Sequence, residues 1–361
     1  DYDLSAIFMR NWDTRDESAS DTGCEWEKDW EDVQRVCKVL DIPCEMVDLS
    51  QEYWNRVFQP SLHSWEDGAT PNPDVMCNKE IKFGALLDHL PMSSSGAGQT
   101  WFATGHYAQK SWSTPSSHSA PRPKLVRALD PLKDQTYFLA SIPEASLART
   151  LFPLGGLHKH DDVRRIAKEA ALPTAERRES MGVCFVGKKA KFGEFISSYI
   201  PQNPGPIIDL LTGKTVAQHS GLWTYTIGQG AKVSGMRERA FVVRKDPKLN
   251  AVYIACGADN PLLQSHSVLV PDFSWIWSDA PPRDFIANGT FTAEVKIRHR
   301  MDPIPCIIHR LENADNFSDV QIEFGTPEFG VAPGQVAVVY DKEDGAVLGC
   351  GTIADTVPVV S

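Results

Sequence analysis

No stretch of the chain approaches the 18 consecutive apolar residues of a membrane-spanning helix, so no membrane partner is expected. No Cys-x-x-Cys pair occurs, and no Cys/His cluster has zinc-finger spacing, so no metal ligand set is read from the sequence. Basic residues are in deficit: 36 Lys and Arg against 47 Asp and Glu leave a net charge of −11. A nucleic-acid binder ordinarily carries a basic footprint, and the total argues against one. Totals hide patches, however. Residues 13–32 are strongly acidic, whereas 158–191 carry nine Lys/Arg against five acids, which allows a local basic surface. No internal repeat is visible. The chain opens on Asp1 with no basic or apolar leader behind it, so any targeting segment is expected ahead of that residue.

The length of 361 residues suggests two or three domains, and 42% hydrophobic with 23% charged residues is a globular composition. The eight cysteines (Cys24, Cys37, Cys44, Cys77, Cys184, Cys256, Cys306, Cys350) are scattered. Such spacing reads as reduced and intracellular, with each thiol by default a small buried hydrophobe.

Strand and helix signals alternate in the first half. Leu4 to Met9 is a short apolar strand. Trp26, Trp30, Val33, Cys37 and Leu40 recur at helical spacing, and Asp41-Ile42-Pro43 ends that helix. "CEMVDL" is the next strand, Phe83, Leu86, Leu87 and Leu90 mark a further helix, and "TWFATGHY" is a strand running into a Gly-His turn. This order implies an α/β domain with a parallel sheet. "DDVRRIAKEAAL" and "KFGEFISSYI" are later helices, and "PQNPGP" reads as a linker. Beyond it the pattern becomes β, with a hairpin at "FVVRKDPKLNAVYIA" and short strands to the end. The expected architecture is an α/β N-terminal domain over 1–200, a small β-containing central domain over 201–265 and a C-terminal β-barrel over 266–361.

Two cysteines stand in settings that suit chemistry. In "NPDVMC", Asn72 is a good helix cap, Pro73 a good first helical residue, and Cys77 falls in the first turns, where the helix dipole favours thiolate. Asp74 lies three residues earlier on the same face and can accept a proton, although its charge opposes ionisation of the thiol. Cys184, in "MGVCFVG", is flanked by Arg177, Arg178, Lys188 and Lys189. Each also reads as an ordinary buried cysteine. "DPLKDQTYF" offers Lys133, Asp134 and Gln135 as phosphate or base contacts, or as a solvated turn. In "KIRHR", Lys296, Arg298 and Arg300 are expected to share one face of a barrel strand.

Taken together, "FMRNW", "GATPNPDVMCNKEIKF", "ATGHYA", "LDPLKDQTYFL", "MGVCFVG", "GLWTYTIGQ", "VKIRHR" and "APGQVAVVYD" run in the order found in the tRNA-specific 2-thiouridylases, which the chain resembles over nearly its whole length. The resemblance implies an adenine nucleotide alpha-hydrolase or ATP-pyrophosphatase-like N-terminal domain. It implies ATP and Mg2+ as cofactors, the wobble uridine of tRNA as substrate and a persulfide-bearing donor protein as partner. ATP adenylates the uridine C2 oxygen. Cys184 receives the persulfide, Cys77 either attacks or resolves it, and Asp74 assists proton transfer. Met9 and Gly105 line the ATP site, and Asn72, Pro73 and Asp74 hold the flipped base. His106, Lys133, Asp134, Gln135, Arg298, His299 and Gln335 contact tRNA. The "SGGVDSS"-type loop of the family occurs nowhere in residues 1–361. It is expected upstream of Asp1 in a truncated domain, the alternative being a non-catalytic tRNA-binding paralogue. Gly230 stands where the family usually has a basic residue. The Ser/Pro-rich insertions point to a eukaryotic, mitochondrial member, with a cytoplasmic one as the alternative.

Overall fold

A computed structural model describes residues 3–12, 25–90, 100–114, 120–177, 192–311 and 317–359. The chain forms two compact units, one of Asp1–Gln59 with Pro73–Phe192, the other of Pro60–Asn72 with Gly193–Ser361.

The first unit is α/β. Strand β1 (Ala6–Arg10) leads through helix α1 (Glu25–Leu40) to strand β2 (Cys44–Asp48), which pairs with β1 in parallel, Ala6 opposite Cys44 and Arg10 opposite Asp48. Parallel neighbours need such a crossover, and the helix supplies it. Phe8 of β1 packs against Trp30 of α1 with ring centroids 5.5 Å apart. The carboxyl end of β1 is fixed by aromatic packing. Trp12 stacks on Trp54 at 6.0 Å and meets the edge of Phe58 at 4.8 Å. A second parallel pair joins Phe102–Ala103 to Thr150–Leu151.

The helix expected around Phe83 and Leu86 starts at Pro73, as the proline's fixed φ favours, but it is not uniform. Pro73–Cys77 is α-helical, Asn78–Ala85 is a π-helix, and Leu86–His89 returns to α. At the junction the buried Asn78 sends Nδ2 to the Asp74 carbonyl at 2.9 Å, a side-chain competitor for the backbone ladder. Ile81, Phe83, Leu86 and Leu87 are buried. Each such side chain contributes about 1.5–3 kcal/mol by leaving water, enough to hold an irregular helix in place.

The second unit is β. A four-stranded sheet sets Thr215–His219, Gly205–Asp209, Ala251–Cys256 and Ala240–Asp246 side by side, realising the hairpin at "FVVRKDPKLNAVYIA". An eight-stranded, curled antiparallel sheet follows. Its interior strand Val336–Tyr340 is buried at every position, which explains its unbroken apolar sequence. Val268, Phe273, Phe285, Val295, Ile322 and Val339 are among the residues of one core.

The basic stripe expected from "KIRHR" does not form. The strand Thr290–Lys296 stops at Lys296, whose side chain is buried, and Arg298, His299 and Arg300 occupy the turn beyond it. Alternation ends where the strand ends, so the three cations do not share a face.

The "APGQ" turn is built against Ala69–Asn72. Gly334 has φ +93°, and a Cβ there would come within 2.7 Å of the Thr70 nitrogen. Only glycine meets both conditions. The Thr70 N–H donates to the Pro333 carbonyl at 2.8 Å, and Gln335 Nε2 donates to the Thr70 carbonyl at 2.7 Å.

Candidate active site

Cys77 closes the short helix that begins at Pro73 and is buried, only 4% exposed. Asn11, directly after β1, reaches its sulfur: Asn11 Nδ2 lies 3.8 Å from Cys77 Sγ. The thiol therefore sits at the carboxyl edge of β1, the edge at which open α/β sheets bind ligands. Asp74, one helical turn before Cys77, is partly buried. Burial pushes its carboxyl above the ordinary value, and the Lys82 ammonium draws it partly back. A carboxyl raised in this way suits proton transfer better than an exposed one.

Lys82 comes from the π-helical segment and links Asp74 to the Gly-His turn. Its Nζ lies 3.5 Å from His106 Nε2, while His106 Nδ1 lies 2.9 Å from Thr104 Oγ1. An ammonium can only donate, so Nε2 is the acceptor and Nδ1–H donates to the threonine hydroxyl. The imidazole is neutral. Burial, and next the Lys82 charge, push its pKa from 6.5 down to about 3. The unfolded histidine takes up a proton near 6.5, whereas the folded one does not until about 3. The stability contributed is complete above 6.5 and is lost as pH falls through that window. Asp74 opposes this, since a raised carboxyl stabilises the fold at low pH and loses that contribution as pH rises through its raised value. His106→Asn is therefore expected to flatten the acid side of a stability–pH profile measured by urea unfolding; an unchanged slope would show that His106 is not held neutral.

The "KDQ" segment fastens this turn. Tyr107 N–H donates to Gln135 Oε1 and Gln135 N–H donates to the Tyr107 carbonyl, both at 2.9 Å. Asp134 is 2% exposed. Its carboxylate accepts from Ala128 N–H at 3.2 Å and Thr136 Oγ1 at 2.9 Å, and it faces Arg127 Nε at 3.6 Å. The Asp134 carboxylate thus points inward, where it also accepts from Thr136 N–H at 3.3 Å at the start of the helix Thr136–Leu139. Lys133 is half-buried beside it.

Met9 lies half-buried in β1, paired with Val47. Gly105 is exposed, and among the described residues a Cβ placed on it would make one ordinary contact, with Leu154 Cδ1 at 3.9 Å, so this backbone is uncrowded. Met9, Pro73, Asp74, Cys77, Gly105, His106, Lys133, Asp134 and Gln135 belong to the first unit. Asn72, Arg298, His299 and Gln335 belong to the second. There Arg298 Nη2 pairs with Glu328 Oε2 at 3.2 Å, and Gln335 turns inward to Thr70 rather than outward. Cys184 lies outside the described residues. Asn11 and Lys82 escape a reading by local spacing, because their partners are 66 and 24 residues away; their presence inside the quoted "FMRNW" and "NKEIKF" was the available signal.

An α/β unit with a thiol at its carboxyl edge, followed by two β modules, defines a class of nucleotide-fold enzyme with accessory barrels. Three families match in series. The tRNA methyl transferase HUP domain covers residues 1–188, the tRNA methyl transferase PRC-barrel domain 193–256 and the aminomethyltransferase beta-barrel domain 265–353. The tRNA-specific 2-thiouridylase MnmA of Nitrosomonas eutropha is 41% identical over 362 residues, 99% of this chain and 92% of that protein. Its namesake in Geobacillus thermodenitrificans is 41% identical over 98% of this chain and 88% of its own length. That of Ralstonia pickettii is 39% identical over 99% and 91%. The chain belongs to the MnmA family of tRNA-specific 2-thiouridylases.

Proposed function

We propose that this protein is a tRNA sulfurtransferase that forms 2-thiouridine, replacing the C2 oxygen of the wobble uridine with sulfur. The observation that carries the reading is Cys77 one helical turn from Asp74, at the carboxyl edge of β1 beside Lys82 and His106. Relatives about 40% identical over nearly their full length, named for that reaction, support it.

ATP supplies the activation, making the C2 oxygen leave as part of AMP. In this reading the adenine ring lies against the uncrowded backbone at Gly105 and the carboxyl end of β1 near Met9, and Mg2+ would serve the phosphates. Asn72 and Pro73 hold the base in this reading, and the raised carboxyl of Asp74 moves the proton. Cys184 carries a persulfide received from a donor protein. Its terminal sulfur attacks C2, and Cys77 then releases the thiocarbonyl by closing a disulfide with Cys184. Neutral His106 meets tRNA as a hydrogen-bonding group rather than a charge, alongside Lys133, Gln135, Arg298 and His299. Arg298 must exchange Glu328 for a phosphate to do so. Asp134 and Gln335 act from within, as supports for the loops that carry the others.

The pyrophosphate loop upstream of Asp1 and a mitochondrial setting belong to the same proposal, the latter supported by the Ser/Pro-rich insertion at 111–123. Genomic sequence and cell fractionation test them. The central test is nucleoside mass spectrometry on tRNA from cells lacking the gene. Wobble 2-thiouridine is expected to disappear and to return with the intact gene. Unchanged 2-thiouridine overturns the enzyme reading in favour of a tRNA-binding paralogue.

A further inference from the structure

Asn11 differs from the other residues around Cys77, because the family motifs give it no role and its amide oxygen takes no part in holding the fold among the described residues. Its Nδ2 is 3.8 Å from Cys77 Sγ, a contact spanning 66 residues of sequence. Its Oδ1 is buried and meets no hydrogen-bond partner among the described residues. An asparagine kept to brace a loop satisfies both ends of its amide, and buried acceptors left unfilled are few in natural proteins. Among the described residues, the Asn11 amide's bond goes to the sulfur.

The neighbouring packing fixes that amide in place. β1 delivers Asn11 at its carboxyl end in register with β2, and Trp12 is locked between Trp54, Phe58 and Tyr53. The backbone at Asn11 is therefore held between a paired strand and an anchored tryptophan, which keeps the side chain within reach of Cys77. An N–H aimed at sulfur stabilises thiolate over thiol, because the negative form is the stronger acceptor. The charges near Cys77 need such help. Asp74, on the same helical face, opposes ionisation, and Lys82 is engaged with His106.

We infer that Asn11 is a catalytic residue that holds the Cys77 sulfur and favours its thiolate through Nδ2–H. The inference rests on the proposed role of Cys77, but its test does not need the thiolation reaction. Ultraviolet thiolate absorbance of the full chain is titrated against pH, and the same curve from Cys77→Ser is subtracted, leaving the midpoint of Cys77. The subtraction is repeated in Asn11→Ala and in the isosteric Asn11→Asp. Loss of one hydrogen bond to an ionised sulfur is expected to reduce the thiolate fraction at neutral pH about tenfold in Asn11→Ala. Asn11→Asp should reduce it further, because it adds a like charge. If the alanine variant loses its near-ultraviolet circular dichroism, the isosteric aspartate still decides the matter. A midpoint unchanged in the folded variants overturns the inference. A shifted midpoint in a protein that makes no 2-thiouridine leaves it standing while the proposed function falls.

Discussion

Serine in place of Cys77 is expected to lower 2-thiouridine formation by a factor on the order of 10³ or more. The reason is chemical rather than steric. Serine nearly reproduces the shape of cysteine, so the buried site remains filled, but its hydroxyl stays protonated at neutral pH and cannot form or resolve a sulfur–sulfur bond. Because the side chain is only 4% exposed and belongs to a helix end, the substitution should leave tRNA affinity within about twofold. Nucleoside mass spectrometry gives the rate and a filter-binding titration the affinity. Full activity in Cys77→Ser would remove the residue from the chemistry; equal losses of rate and affinity would make it a binding residue.

The largest stability effect should come from Gly155→Ala. A Cβ on Gly155 would lie 1.8 Å from the Ala108 carbonyl oxygen and 2.6 Å from its carbon. Both are backbone atoms, so no side-chain rotation relieves the clash. Gly155 is also tied on both sides, its N–H to the Phe152 carbonyl at 3.1 Å and its carbonyl to Leu129 N–H at 2.8 Å. One of the two chains must move, and about 3 kcal/mol or more of stability should be lost, at the upper end of overpacking substitutions. Ala108 is two residues from His106, so the displacement also reaches the Lys82–His106 pair. Urea unfolding of Gly155→Ala beside the adjacent Gly156→Ala, whose Cβ would enter open space, separates the clash from a general glycine effect. Similar midpoints for the two variants would contradict the close approach.

Much of the fold can be read from local sequence because its signals are local. The hairpin of Ala240–Asp246 with Ala251–Cys256 is announced by alternation around a polar turn, and α1 by its 3.6-residue period. The start of the Cys77 helix is written in the proline at its first position. What stays hidden depends on partners distant in sequence. Nothing in "KDQ" tells that Asp134 and Gln135 are taken up by Ala128, Thr136 and Tyr107, since a polar triplet looks the same facing water. "KIRHR" has the alternation of a strand, yet the strand itself ends at Lys296, paired with Val338, and the alternation loses its meaning there. The π-helical segment leaves no periodic trace in the sequence, and the Asn78 side-chain bond to the Asp74 carbonyl at its start is not announced by spacing. The thiol, its acid and the Gly-His turn are legible as motifs. Asn11 and Lys82, which join them, are legible only once the chain has folded.

The grip of the "APGQ" turn on Thr70 bears on how this protein can be taken apart. Residues 60–72 lie in the middle of the stretch matched by the HUP family, 1–188, yet they cluster with the β half of the chain. A single cut near residue 192 therefore does not separate two self-sufficient pieces: the N-terminal fragment would carry a strap whose anchors, Pro333 and Gln335, were left behind. Chimeras that exchange barrels between relatives inherit the same constraint. Residues 60–72 and the "APGQ" turn are one heritable part, and they should be exchanged together or not at all.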